Sequence, residues 1–146
     1  MVTIRPPRLV ELFRAKRSNA YPGDLFDPDC PTRLVLDRIG DKWTTLVILL
    51  LSDGPMRFSE VRGHLGRVAP KVLTQTLRRM ERDGLVTREI FAEVPPRVEY
   101  TLTDLGRSLI APIAAIGDWA EVHVGQITRA QAAYDAAHQP AAVFSA

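Results

Sequence analysis

The chain has few of the residues that support covalent or metal chemistry. Its 146 residues include one cysteine, Cys30, and three histidines. A single cysteine excludes an intramolecular disulfide framework and is typical of proteins in a reducing compartment. Because His64, His123 and His138 are isolated from the cysteine and from paired carboxylates at ligand spacing, the sequence predicts no metal site.

Motifs for catalysis and for membrane insertion are also missing. There is no glycine-rich phosphate loop and no pattern of a nucleophile with a base. No run reaches the roughly 18 apolar residues that span a bilayer, and the first residues lack an apolar segment followed by a cleavage site. We therefore predict a cytoplasmic protein that is not an enzyme, with no catalytic residues, no cofactor and no membrane partner.

The composition is that of a globular protein with one domain. Hydrophobic residues make up 46% of the chain and charged residues 25%, and this length is enough for a substantial core. The formal net charge is only +2, so a surface for nucleic acid would have to arise from local placement of basic residues. Almost all of these are arginines, which make bidentate contacts to guanine and phosphate.

Residues 69–84 predict an amphipathic helix. Leu73, Leu77 and Met80 recur at helical spacing and form an apolar stripe for a core. The opposite side carries polar and basic groups of the kind that contact bases and phosphates in a major groove. These groups are Lys71, Thr74, Gln75 and Arg78, with Arg82 one turn further on. For an isolated basic helix, the alternative is a solvated face that binds nothing.

The flanking segments predict a helix-turn-helix with a wing. Two stretches that alternate between apolar and polar residues follow the helix, as in short strands. The Pro-Pro pair at 95–96 places a turn between them and leaves Arg97 at its edge. Upstream, a short helix is predicted from its N-cap Ser59 to Leu65. The predicted fold is mainly α with a small β-hairpin wing, in which the helix enters the major groove and the wing contacts backbone or minor groove.

Two helices are predicted before this unit. The first opens at Cys30 and Pro31 and ends at Gly40. Its inward-facing residues are expected to be Leu34, Val35 and Ile39. The second begins at its N-cap Asp41 and has the heaviest apolar face of the chain. That face consists of Trp43, Leu46, Val47, Leu50 and Leu51. A short strand at 56–58 is expected beside the wing.

The last predicted helix indicates a homodimer. It begins at Thr103, and Pro112 is expected to kink it. Its apolar residues follow spacings of three, four or seven, which suit pairing with another helix. They are Leu105, Leu109, Ile113, Ile116, Ala120 and Ile127. A winged helix alone does not need this helix, so we predict additional N- and C-terminal dimerisation helices. A symmetric dimer would place two recognition helices roughly 34–36 Å apart on a palindromic operator.

The folded unit is predicted to span residues 29–127. Residues 1–28 form a basic arm that either embraces DNA or is a disordered or partner-packed terminus. Residues 128–146 form an alanine-rich tail, of which residues 130–146 are expected to fray.

Six motifs together resemble the HxlR family of bacterial transcriptional regulators. They are GDKWT (40–44), RFSEV (57–61), PKVLTQTL (70–77), ERDGLV (81–86), EVPPRVEY (93–100) and LTDLG (102–106). The resemblance covers about residues 29–123. It implies a homodimeric winged helix-turn-helix protein that binds double-stranded operator DNA and is similar in architecture to the MarR group. Residues 71–78 match the family's recognition helix and 95–97 match its wing.

Cys30 is the one residue with a prospect of reactive chemistry. A helix N-terminus and Arg33 place positive charge near its sulfur, whereas Asp27 and Asp29 place negative charge there. Some members of the family that the chain resembles sense electrophiles or oxidants through a cysteine near this position, sometimes by cross-linking two subunits. Cys30 is therefore a candidate redox sensor, and the other interpretation is a small buried residue beside the interface.

We predict a transcriptional repressor that occludes a promoter. Base contacts are assigned to Lys71, Thr74, Gln75 and Arg78, phosphate contacts to Arg79 and Arg82, and the wing contact to Arg97. Two alternatives stay open. One is a winged-helix protein-interaction module that does not bind DNA. The other is a regulator whose small-molecule inducer, in place of a thiol switch, occupies a cavity at the dimer junction near Trp43 and Trp119.

Overall fold

A computed structural model describes residues 25–139 of the chain. In this part the elements are α1 (Pro31–Ile39), α2 (Lys42–Leu51), β1 (Met56–Arg57), α3 (Phe58–Leu65), α4 (Pro70–Arg82), β2 (Val86–Phe91), β3 (Arg97–Leu102), α5 (Asp104–Arg107) and α6 (Ile110–Ala137). The predicted fold class, mainly helical with a small hairpin, is confirmed. Most of the predicted basic arm and the last seven residues of the chain lie outside the described residues.

The three strands form one antiparallel sheet in the order β1-β3-β2. The hairpin pairs Val86 with Leu102 at its base and Phe91 with Arg97 at its tip. β1 pairs with the outer side of β3. The predicted strand beside the wing is therefore confirmed, although Phe58 belongs to α3 and not to the strand.

The core lies where α2, α4 and the sheet meet. Leu73, Leu77 and Met80, the predicted apolar stripe of α4, are at most 1% exposed. Thr76 is buried beside them, and its hydroxyl donates to the carbonyl of Val72 at 3.0 Å, so no buried donor is left unpaired there. The same cluster contains Val47, Ile48, Leu51, Val61, Val68, Leu85, Val86, Leu102 and Ile113. The core thus holds α4 along its whole inner face and leaves its outer face to solvent.

α2 and α3 begin with different capping interactions. Asp41 caps α2 as predicted, because its carboxylate accepts from the backbone N–H three residues on at 3.1 Å. The prediction that Ser59 caps α3 is wrong. The helix begins at Phe58 with Arg57 at the N-cap, since the Glu60 carboxylate reaches back to accept from the Arg57 N–H at 2.8 Å.

The expected inward face of α1 is exposed in the single chain. Leu34 is 60% exposed and Val35 is 54% exposed, and α1 contains no buried residue. The prediction that these side chains face inward is wrong, because α1 packs on α2 and no second layer of residues 25–139 covers its outer side. On α2, Leu46 is also partly exposed, whereas Ile48, which the sequence did not assign to the core, is fully buried.

The predicted last helix is divided into α5 and α6. Thr103 caps the short α5, and its hydroxyl accepts from the Gly106 N–H at 3.1 Å. Helix α5 ends at Arg107, and α6 starts three residues later. Pro112 therefore lies in the first turn of α6, where its missing N–H needs no partner, and it does not interrupt a helix as predicted.

α6 continues through the residues that were expected to fray, as far as Ala137. α6 packs on α2, but of its residues only Ile113 is buried, so most of its surface is exposed. Among the helices of residues 25–139, none is both long and apolar enough to cross a bilayer.

Gly106 joins α5 to the segment that follows α4. A Cβ at this position would collide with the carbonyl oxygen of Leu85. That oxygen accepts a hydrogen bond from the Thr103 N–H at 3.0 Å, and the Thr103 hydroxyl donates to the carbonyl of Gly84. The absence of a side chain at Gly106 therefore lets the end of the hairpin close on the end of α4.

We predict that Gly106→Ala lowers the free energy of unfolding by about 1–3 kcal/mol, because the added methyl group forces the backbone of Leu85 to move. Urea denaturation at fixed protein concentration measures the change. The control is Gly63→Ala on α3, where a Cβ meets no atom within 4 Å and a small gain in stability is expected. Equal stability of the two variants would show that the close approach at Gly106 carries no strain.

Candidate nucleic-acid interface

The outer face of α4 presents the polar and basic side chains that the sequence placed there. Lys71, Gln75, Arg78, Arg79 and Arg82 are exposed, and Thr74 is half-buried. Four of them recur at spacings of three and four residues and so share one side of the helix. They are Lys71, Gln75, Arg78 and Arg82. The structure therefore brings the predicted contact residues together on one surface, which we call the α4 face.

Most of the α4 face is free of internal bonding. Among residues 25–139, no carboxylate lies within salt-bridge distance of Lys71, Arg78 or Arg79. The Thr74 hydroxyl donates to the Pro70 carbonyl at 2.8 Å, so it meets a ligand as an acceptor. The only hydrogen bond of the Arg79 side chain to the described residues is a long one of 3.4 Å to the carbonyl of Gln75. The arginine and lysine charges are thus available to an external anion.

Further basic residues, which were not predicted from the sequence, lie at the two ends of α3 and in the turn before α4. Arg57 and Arg62 are exposed at either end of α3, and Arg67 is exposed in the turn itself. Arg62 borders a shallow depression of about 330 Å³ that also involves Gly63 and Gly66. Their position in the sequence could have identified them, because each lies within or beside the predicted helix-turn-helix. The sequence-based prediction gave DNA contacts only to α4 and the wing, and treated α3 and the turn as structural.

The wing arginine is already occupied by internal partners. The Arg97 guanidinium lies 3.3 Å from the Glu93 carboxylate and 3.5 Å from that of Glu99. It also stacks over the Phe91 ring, 4.1 Å from its centroid. Its Nε atom is buried without a well-aligned hydrogen bond, so the Glu99 contact is electrostatic. The structure confirms that Arg97 lies at the edge of the turn but does not show it as a free cation.

The charge of the wing is correspondingly low. Glu89 and Glu99 face each other across the strands, and Glu93 lies in the loop. Against these three carboxylates stand Arg88 and Arg97. Any attraction of the wing to a polyanion is therefore weaker than that of the α4 face.

Arg82 differs from the rest of the α4 face in its surroundings. It lies at the end of the helix, on the rim of a groove of about 560 Å³ between α1, the end of α4 and the α5–α6 corner. No described carboxylate pairs with it. The structure thus places this predicted phosphate contact beside α1.

Cys30, the candidate redox sensor, is buried at the N-cap of α1 and only 5% exposed. Its backbone carbonyl accepts from the Arg33 N–H at 3.0 Å, and its own N–H donates to the Asp27 carbonyl at 3.1 Å.

The two tryptophans expected near a ligand cavity lie in different surroundings. Trp43 is half-buried on α2 under the Lys42 ammonium, whereas Trp119 is exposed on α6 and stacks with His123.

Two helices expose large apolar surfaces. α1 exposes Leu34, Val35 and Leu36, and α6 exposes Ile116, Trp119, Val122, Val124 and Ile127. Exposed large apolar side chains in this number are typical of an interaction site. The sequence had assigned the same two helices to a dimer interface.

A three-stranded wing attached to a helix-turn-helix, with a basic outer helix face, defines the winged-helix class of proteins. Within that class, the chain belongs to the HxlR-like helix-turn-helix family, whose model matches residues 38–128.

The relatives of the chain are described as transcriptional regulators. It is 40% identical to an uncharacterised HTH-type transcriptional regulator of Methanothermobacter thermautotrophicus, over 72% of this chain and 82% of the relative. It is 41% identical to the HTH-type regulator YdeP of Bacillus subtilis, over 77% of this chain and 88% of the relative. The chain is thus similar to proteins of this kind over most of their length.

Solved structures agree in fold. A proposed transcriptional regulator, YtfH from Salmonella typhimurium, is 39% identical, with a TM-score of 0.70 over 75% of this chain and 97% of that one. The redox regulator HypR in its reduced form is 36% identical, with a TM-score of 0.63 over 68% and 98%. The predicted family and architecture are confirmed.

Proposed function

We propose that the chain is a homodimeric repressor of transcription that binds a palindromic operator through the α4 face. The observation that carries this proposal is the division of α4 between a fully buried apolar side and an exposed side of unpaired basic and amide groups. A helix held so firmly presents its outer groups in one orientation, as base recognition requires. Membership in a family of transcriptional regulators supports it.

The residues of the α4 face suit different contacts. Gln75 and Arg78 carry groups that bond bidentately to adenine and guanine edges. Lys71 and Thr74, in the first turns, lie where a recognition helix points into the groove. We assign base contacts to these four residues. Arg79 lies to one side of them and suits a phosphate.

A homodimer follows from the exposed apolar residues of α1 and α6. Residues 25–139 of one chain leave much of these two helices exposed, and a second copy offers the same surface in a self-complementary arrangement. Two copies of α4 related by a two-fold axis match a palindrome with half-sites roughly 34–36 Å apart. The alternative of a protein-interaction module is disfavoured, because the α4 face is basic and polar where a protein interface would be more apolar.

We assign the role of sensor to Cys30. HypR, to which the chain is similar, is described as a redox regulator with reduced and oxidised forms. Burial of Cys30 means that an oxidant or electrophile reaches its sulfur only when the start of α1 opens. Since α1 is also an expected dimer helix, modification at its N-cap would disturb the spacing of the two α4 helices. A small inducer bound at the dimer junction is the competing mechanism.

We expect Gln75→Ala and Arg78→Ala each to weaken operator binding by about 1–3 kcal/mol and to relax the preference at one base position. Arg79→Ala should weaken operator and random DNA alike and lower the salt slope by about one. Competition binding over a salt series measures both effects. Arg129→Ala, an exposed arginine of α6, is the matched control. Equal losses on operator and random DNA for all three α4 variants would refute this division of roles.

For the wing, we expect Glu93→Gln to strengthen DNA binding and to steepen its salt dependence. The change keeps the shape of the side chain but removes one carboxylate that competes with phosphate for Arg97. Arg97→Ala should weaken binding evenly on all sequences. Glu121→Gln on α6 serves as the control for a lost negative charge. If neither wing variant changes affinity, the wing does not contact DNA.

For the sensor, we expect Cys30 in the folded protein to react with a thiol reagent much more slowly than in the denatured protein. Once it is alkylated or oxidised, operator affinity should fall, and Cys30→Ser should abolish that response. The paired measurements are thiol titration and operator binding. Full modification without a change in affinity would exclude the thiol switch, and a Cys30→Ser protein that still responds to its inducer would favour the small-ligand mechanism.

A further inference from the structure

One ion pair connects α1 to the recognition helix. The Arg38 Nε donates to the Asp83 carboxylate at 3.1 Å, across 45 residues of sequence. Arg38 lies in the last turn of α1 and Asp83 is the C-cap of α4. The contact therefore joins the ends of an expected dimer helix and of the helix expected to read DNA.

The local electrostatics favour this cation. The C-terminal ends of α1 and α4 both carry partial negative charge from unpaired carbonyl groups, and Asp83 adds a full negative charge to them. Arg38 lies at the end of α1 and pairs with Asp83 at the end of α4. Its positive charge therefore compensates the partial charges of both helix ends and the charge of the Asp83 carboxylate. Both side chains are about one-third exposed, at 32% and 31%, so the pair contributes little to overall stability.

In the part of the chain that the structure describes, an open groove lies between α1 and α4. The groove of about 560 Å³ separates them, and its walls include Leu34 and Ile39 from α1, Leu85 after α4, and Leu105 and Leu109 from the α5–α6 corner. α1 has no buried residue. Arg38 and Asp83 both line this groove, and their ion pair links α1 directly to the end of α4, in addition to the packing of α1 on α2.

We propose that Arg38 and Asp83 are positioning residues that set the angle between α1 and α4, and hence the half-site spacing that the dimer accepts. This inference rests on the proposed function. If α1 belongs to the dimer interface, a change in its angle to α4 moves the two α4 faces relative to each other. A broken pair then widens the range of separations without altering the groups that contact bases.

The test uses the full chain and operators whose half-sites differ in spacing by one or two base pairs. Asp83→Asn and Arg38→Gln should each reduce the preference for the natural spacing by about fivefold or more. Binding to a single half-site should stay unchanged. The charge-exchanged double variant R38D/D83R should restore much of the preference. Asp37→Asn, an exposed carboxylate on the same helix with no described partner, is the control and should behave as wild type.

A second readout needs no DNA. Hydrogen–deuterium exchange in residues 31–39 and in the last turn of α4 should rise in both single variants and return towards the wild-type rate in R38D/D83R. Unchanged exchange, or unchanged spacing preference in a protein that binds its operator, would overturn the proposal. Absence of selective DNA binding by the wild type would contradict the proposed function, and the exchange result would still decide whether the pair positions α1.

Discussion

The burial of one side of α4 is the constraint on which the rest of the structure depends. Leu73, Leu77 and Met80 are sealed in the core against α2 and the sheet. Because a helix has a fixed period, burial of these three positions dictates which residues are exposed on the other side. The α4 face is thus a direct consequence of core packing. Its orientation is fixed by the same packing, since the buried residues are spread along the helix from Leu73 to Met80.

Elements with a strong period were predictable from the sequence. The two faces of α4 and the alternating strands of the hairpin were found because each has its own repeat, and the Asp41 cap because its chemistry is local. The Ser59 cap was misassigned because the Glu60 carboxylate accepts from the backbone N–H of Arg57, two residues before Ser59, and so fixes an earlier helix start. Pro112 was misread because its effect depends on its distance from a helix end, which was itself unknown.

Contacts between distant residues were not predictable. The carboxylates around Arg97 depend on the register of the hairpin, and the pairing of Arg38 with Asp83 depends on tertiary packing. The exposure of Leu34 and Val35 shows a further limit, because an apolar pattern does not say whether its cover comes from the same chain or from a second one. For the candidate site, residue types on α4 were predictable, whereas the internal compensation of the wing charge was not.

The distribution of charge links these observations to function. With a net charge of only +2, the chain has no strong general attraction to polyanions. Within residues 25–139, basic residues without a carboxylate partner cluster on α4, on α3 and in the turn between these helices, whereas Arg97 of the wing is balanced by carboxylates. Such an arrangement limits binding to random DNA and leaves recognition to the groups that reach bases. It is what a selective regulator requires.

The most direct test of this account is binding of the purified protein to its own upstream promoter DNA against random competitor, over a salt series and with the stoichiometry determined. The account predicts selective, salt-dependent binding of two chains to one palindromic site, and a genome-wide selection would locate that site if it lies elsewhere. A protein that selects no sequence in either experiment would contradict the account and leave the α4 face without its proposed ligand.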